Sequence, residues 1–283
     1  MNYSSTRYYY MKKYPIPASM LKAVAYLCML LDHLTGCLYK AHLINLGVSY
    51  DDNTLYIVGR AVGRLAFVLF AFMIAEGMSH THSSIRYLTR LALFALISEV
   101  PFDLATSETA ISWEKQNTFF TLFAGALSIL IIQKSSSLVK NKAASVLLSL
   151  LPTLALAALC YKLKSDYGIW GVLFIVLMYI TKERYPLMLI SGAAALSPGY
   201  FLYRLFVNID NSTSVTLSTF PAWFMKNQEV LCRNFYTEAY GIAALLLIYL
   251  YNEKKGNQLP KAFYYFFYPV HLLIIGIIRV SLF

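Results

Sequence analysis

Asp32 and His33 stand side by side near the end of a long apolar run, Lys22-Ala-Val-Ala-Tyr-Leu-Cys-Met-Leu-Leu-Asp-His33. An imidazole has an ordinary pKa of about 6.5, so it can take or give a proton near neutrality, and an adjacent carboxylate can hold its tautomer. Further ionisable groups recur in later apolar runs. Arg60, Arg64 and Glu76 lie in the second, Arg90 and Glu99 in the third with Asp103 at its end, and His271 just after Pro269 in the last. A base beside guanidinium groups is equipped for group transfer: the base takes a proton from a nucleophile, and the cations steady a developing oxyanion. The same residue types also build the proton relays of carriers.

The surrounding chain is strongly apolar. Its 283 residues are 58% hydrophobic and 13% charged, with mean hydropathy +0.55, against roughly 45–50% and about 25% in soluble domains. A water-soluble core of this size cannot hide so much apolar surface, and lipid is its natural solvent. The net charge is +10, but the basic residues fall between apolar runs rather than along one stripe. They orient a membrane protein and exclude nucleic acid as the expected partner. Cys28, Cys37, Cys160 and Cys232 stand without C-x-x-C or Cys/His ligand spacing, so neither a disulfide framework nor a metal site is expected.

Nine apolar stretches are helix candidates: 22–39, 58–78, 87–105, 118–133, 143–161, 167–181, 185–203, 235–251 and 262–282. A helix needs roughly 17–25 residues to span, and 118–133 and 167–181 run short. Thr213–Phe224, interrupted by Pro221, reads as a surface or re-entrant segment inside the longest connection, about 204–234. The expectation is one all-α domain over 1–283, a polytopic transmembrane helix bundle of about nine spans with no cleavable signal peptide. With the N-terminus in the cytoplasm, twelve basic residues face inward: Arg7, Lys12, Lys13, Arg86, Lys134, Lys140, Lys142, Lys182, Arg184, Lys254, Lys255 and Lys261. Six face outward: Lys40, Lys115, Lys162, Lys164, Lys226 and Arg233. That excess sets the orientation.

Each buried ionisable group costs at least about 2.5–3.5 kcal/mol at a helix centre, so these groups need partners or a polar cavity. At about 1.5 Å of rise per residue, His33 lies roughly 18 Å from the inner boundary, His271 roughly 14 Å, and Arg64 and Glu99 near 20 Å. Four helices thus carry ionisable groups to one level just beyond the midplane. Arg60 and Arg64 share a helix face, as do Glu99 and Asp103, and Gly59 and Gly63 beside the arginines admit a close neighbour. Two readings stand together here: Arg60 and Arg64 pair with Glu99 and Asp103 to tie two helices, or they serve a reaction centre. Neighbours on a helix point about 100° apart, so Asp32 can hold the His33 tautomer or turn instead to Arg64 or Lys22. Asn117 and Asp166 precede apolar runs as helix caps do.

Several segments together resemble the TraX family of membrane acetyltransferases, named for the conjugative-pilin acetylase. Besides Lys22–His33 they are Gly-Arg-Leu-Ala-Phe-Val-Leu-Phe-Ala-Phe-Met-Ile-Ala-Glu-Gly (63–77), Leu-Ile-Ser-Glu-Val-Pro-Phe-Asp (96–103), Gln-Asn-Thr-Phe-Phe-Thr-Leu (116–122) and Asp-Tyr-Gly-Ile-Trp-Gly (166–171). Tyr-Asn-Glu-Lys-Lys-Gly (251–256) and Phe-Tyr-Pro-Val-His-Leu (267–272) follow, and Glu253 stands where the family pattern leads one to expect glycine. Lys22-x10-His33 is also similar to the Arg/Lys-x10-His pattern of the acyltransferase-3 superfamily, whose histidine is taken as catalytic. The resemblance implies an acyltransferase of the bacterial inner membrane, with acetyl-CoA as co-substrate and an amine-bearing acceptor, a pilin-like N-terminus or a small amine. On this reading His33 and Asp32 are catalytic, and Arg60, Arg64, Glu99, Asp103 and His271 bind or assist. Arg86 and Arg90, with Lys134 and Lys254, hold the CoA phosphates. The competing classes are a proton-coupled transporter, an O-acetyltransferase of a surface glycan, and an assembly subunit without chemistry.

Overall fold

In the computed structural model, residues 15–212, 215, 216 and 218–283 are described, and of Asn234 only the backbone. Arg7, Lys12 and Lys13, and Thr213 within the long connection, lie outside these residues. The described residues form ten helices and no sheet. They are α1 (Ala18–Asn45), α2 (Thr54–His80), α3 (Ser84–Ser107), α4 (Thr118–Leu138), α5 (Lys142–Lys162), α6 (Gly168–Thr181), α7 (Tyr185–Asp210), α8 (Phe220–Ala239), α9 (Ile242–Tyr249) and α10 (Lys261–Leu282). Local chemistry sets many of the starts. Asn53, Ser83, Asn117 and Asn141 each accept a backbone N–H of the first turn of α2, α3, α4 and α5, which supplies donors that would otherwise go unpaired. Prolines occupy the first turn of α7 and α8, where the missing N–H costs nothing.

Six of the described helices, α1, α2, α4, α5, α7 and α10, are long and apolar enough to cross a membrane. The other three expected spans took different forms. Helix α3 has the length but carries Arg86, Arg90, Glu99 and Asp103, α6 has 14 residues, and the stretch 235–251 is broken at Gly241 between α8 and the eight-residue α9. The expected connection 204–234 is largely helical, because α7 continues to Asp210 through a π-helical turn at Ala195–Gly199 and α8 begins at Phe220. Proline in a first turn starts a helix rather than interrupting one, and Pro221 does so here.

Helix α2 is the central element: Phe67, Val68, Leu69, Ala71, Phe72 and Ala75 are all buried. Helix α1 packs along it, and α3 packs between α10 and α4. Large apolar side chains such as Leu147, Leu151, Ile274 and Ile277 point outward on α5 and α10, the surface that lipid would cover. Helices α1 and α10 run parallel and in register. Lys22 Nζ donates to Gln258 just before α10, Tyr26 Oη donates to the Tyr264 carbonyl, and His33 meets His271, the last two pairs both 238 residues apart. Glu253, where glycine was expected, has φ of 59°, the left-handed region that favours glycine.

Gly59 and Gly63 let α1 lie directly on α2. A Cβ at Gly59 would strike the Thr35 side chain, and one at Gly63 would strike Asp32, including the Asp32 Cβ, which no rotamer can move away. Gly63→Ala should therefore lower stability by about 1–3 kcal/mol, read as an earlier thermal melt in detergent; an unchanged melt would mean that the two helices are not in this contact.

Candidate active site

The proton positions on two histidines follow from their partners. His271 is buried on α10, and its Nδ1 lies 2.6 Å from the Phe267 carbonyl oxygen one turn earlier. A carbonyl oxygen only accepts, so Nδ1 carries the hydrogen, and the Nε2 of the neutral ring is an acceptor. His33 Nδ1, 2.7 Å from that Nε2, must then donate to it. This leaves the lone pair on His33 Nε2, which is the form a general base requires. Of the two alternatives open to Asp32, it takes the pairing with arginine, and His271 rather than Asp32 meets the His33 ring.

Asp32 is turned instead toward α2. Its carboxylate lies 2.8 Å from Arg60 and 3.4 Å from Arg64. Arg64 also donates to Glu238 on α8 and to the Tyr167 hydroxyl, each at 3.4 Å. Two guanidinium groups and two carboxylates therefore balance at the contact of α1, α2 and α8. Their charge-assisted bonds offset the cost of carrying ions into an apolar bundle. A π-helical turn, Leu34–Tyr39, follows His33 immediately and rotates the rest of α1 relative to this pair.

Two cavities meet at these residues. The first, of about 380 Å³, follows the N-terminal half of α1 (Lys22, Tyr26, Met29) and the C-terminal half of α2 (Phe70, Met73, Gly77), with Arg90 and Lys261 at the same end. The second, of about 1220 Å³, follows the C-terminal half of α1 (Gly36, Cys37, Lys40) and the N-terminal half of α2 (Tyr56, Arg60, Arg64). Asp32, His33, Asp166 and Tyr167 line both. The walls of the first are largely apolar; the second is rich in charge and tyrosine. Lys40, Lys115, Lys162, Lys164 and Arg233, five of the six basic residues expected on the outer side, gather around the second cavity.

The family model described as TraX protein matches residues 18–279. The chain belongs to the TraX family. It is also 27% identical over 267 residues, 91% of this chain and 93% of the relative, to "Probable fimbrial assembly protein FimC, serogroup H1" of Dichelobacter nodosus. No solved structure matches.

Of the residues singled out in this TraX-family sequence, the fold brings Asp32, His33, Arg60, Arg64 and His271 to one centre. Arg90 joins the far end of the first cavity, with its guanidinium 5.6 Å above the Tyr265 ring. Glu99, Asp103 and Arg86 line neither cavity. Glu99 accepts from the backbone and side-chain amides of Asn117, and Asp103 from the Ser112 amide at 2.7 Å, so both fasten the segment joining α3 to α4. Neither meets the arginines. The Arg86 backbone N–H is capped by Ser83 at the exposed start of α3. Asn117 caps α4 as expected, but Asp166 does not cap α6, whose N-cap is Tyr167. Asp166 instead takes Lys115 at 2.9 Å and the Thr118 hydroxyl at 2.9 Å. Glu238 and Tyr167 join the site without having been singled out in the sequence, and Asp166 joins it where a helix cap was expected. Glu238 was visible as a carboxylate inside the apolar stretch 235–251, and the other two as the start of the block 166–171.

Asp166 lies in the connection between α5 and α6. Burial alone would raise its carboxyl, but Lys115, Arg64 and the Thr118 hydroxyl outweigh burial and hold it down at about 2. A carboxyl depressed in the folded state contributes stability above its unfolded pKa, about 3.9, and loses that contribution as pH falls through the folded value. With Lys115 half exposed, the contribution is about 1 kcal/mol after solvent screening. Asp166→Asn should melt earlier than wild type near neutral pH, with the gap closing as pH falls from about 4 toward 2. A gap that does not change with pH would show that the charge contributes nothing.

Proposed function

We propose that this protein is a membrane-embedded acetyltransferase that moves an acetyl group from cytoplasmic acetyl-CoA to an amine acceptor. One observation supports this above the others: the two cavities, lined by opposite halves of α1 and α2, share His33, whose Nε2 carries the free lone pair. The first cavity suits a CoA thioester. Lys22, Arg90 and Lys261 offer positive charge to phosphates, and the slot beyond them, lined by Met29, Phe70, Met73 and Leu122, is apolar and leads to His33. The second cavity suits an acceptor. Its polar walls reach the same histidine from the other side.

In the reaction His33 Nε2 takes a proton from the neutral amine as its nitrogen attacks the thioester carbonyl. Arg60 and Arg64 are the nearby cations for the oxyanion. Collapse breaks the C–S bond, and the proton passes from His33 to the departing thiolate, so amine and thioester become amide and thiol with no net proton change. His271 would hold the His33 tautomer and share the charge of the transient imidazolium, the role an orienting group plays for a catalytic base. Glu99, Asp103 and Arg86 stand outside this scheme.

The membrane setting follows from the same picture. We place the chain in the bacterial inner membrane with its N-terminus in the cytoplasm, so that the Lys22–Lys261 end faces the acetyl-CoA pool. Six apolar helices together with α3, α6 and the α8–α9 pair would make nine crossings. An odd number agrees with α1 and α10 starting at the same end. The tie to the acyltransferase-3 superfamily rests on Lys22-x10-His33.

The test is acetyl transfer by purified protein in detergent. Wild type should release free thiol from acetyl-CoA; His33→Ala should lose roughly 10²–10⁴-fold, the usual share of a general base. His271→Ala should lose less, because His33 is then free to change tautomer, and should move the pH optimum, because the imidazolium formed on His33 loses the acceptor of its Nδ1–H. Full activity in His33→Ala would remove this histidine from the chemistry. A proton-coupled transporter or an assembly subunit predicts no thiol release without a sealed membrane. An O-acetyltransferase predicts release that sugar hydroxyls stimulate and amines do not.

A further inference from the structure

Glu238 poses a problem that Arg64 only half solves. The residue is 1% exposed, at the last turn of α8, and lines the second cavity beside Tyr167, Tyr200 and Tyr240. Its Oε2 faces Arg64, while Oε1 is buried without a hydrogen-bond partner among the described residues. A buried carboxylate oxygen left unpaired is costly. The position worsens the cost, because the C-terminal end of a helix carries partial negative charge and favours a cation nearby. At the centre itself Arg60 and Arg64 are matched by Asp32 and Glu238, and Lys115 is taken by Asp166, so that Arg64 is the one cation within ion-pair distance of Glu238 among the described residues.

We propose that Glu238 reads the acceptor, binding the ammonium form of a primary amine through Oε1 and so selecting amines over alcohols. This deepens the acetyltransferase reading and rests on it. An ammonium would give the free oxygen a charge-assisted bond, about twice as strong as the neutral one a hydroxyl can offer. Tyrosine rings line the same cavity, and an aromatic face can attract a cation. Arg64 lies between the Glu238 carboxylate, which it meets through Oε2, and Asp32, so a nitrogen bound at Glu238 sits one guanidinium away from the residue next to His33. The ammonium gives one proton to water in the cavity; the neutral amine, no longer held by the carboxylate, passes Arg64 to reach His33, gives it a second proton as it attacks, and the thiolate receives that second proton. One proton is therefore released per acetylated ammonium.

Two probes of matched shape test this, 2-phenylethylamine and 2-phenylethanol, each offered with acetyl-CoA to purified wild type, Glu238→Gln and Glu238→Asp. In wild type the amine should accept acetyl with kcat/KM at least about tenfold above the alcohol. Glu238→Gln should raise the KM for the amine about tenfold or more and leave the KM for acetyl-CoA within about twofold. Glu238→Asp keeps the charge but withdraws the oxygen by one methylene, so its amine KM should fall between those of wild type and Glu238→Gln. Should Glu238→Gln fail to fold, an amine KM in Glu238→Asp equal to wild type overturns the assignment. An unchanged amine KM in folded Glu238→Gln overturns it too, as does an alcohol that serves as well as the amine. Thiol release that the amine fails to accelerate removes Glu238 alone; absence of any thiol release from acetyl-CoA in wild type removes the acetyltransferase reading itself.

Discussion

A carboxylate carried into an apolar bundle must be neutralised where it stands, and in this protein Asp32 is neutralised by two arginines of the next helix. Glycine at positions 59 and 63 makes the approach possible, because any larger residue would collide with Thr35 and Asp32. Arg60 lies at 2.8 Å and Arg64 at 3.4 Å. Leaving one partner of such a buried set without its counter-charge costs far more than the intact set contributes. The pairing therefore fixes the rotation of α1 against α2, and everything else at the centre follows from that rotation.

With Asp32 committed to α2, the next side chain on the helix points about 100° away. His33 faces α10, which runs parallel and in register beside it, and meets His271 there. The Phe267 carbonyl sets the His271 tautomer, and His271 sets that of His33. Helix rotation thus becomes a defined lone pair. Helices α1 and α2 line both cavities, one cavity on either side of the Asp32–His33 step, and His33 lines both.

Much of this was legible in the residues. Charges inside apolar runs stood out because lipid penalises them, and the four-residue step from Arg60 to Arg64 fixed their shared face. A common depth correctly anticipated that His33 and His271 could meet. Depth carries no information about azimuth, however, and the choice of partner lives there. Glu99 reckons to the same level as Arg64 yet faces the α3–α4 connection and binds Asn117. Glu238 was hidden for a different reason. It sits where an apolar stretch that reads as one span breaks at Gly241, at the end of a helix that sequence alone gave partly to a loop. Pro221 made that loop plausible, since proline terminates helices as readily as it begins them.

The most direct measurement is a structure of the protein with acetonyl-CoA, a ketone analogue in which a methylene blocks acyl transfer. If acetyl transfer runs through His33, the phosphates will lie near Lys22, Arg90 and Lys261, the arm in the apolar cavity, and the ketone carbon within reach of His33 Nε2. An analogue bound elsewhere, or bound there with its acyl end far from His33, would contradict it.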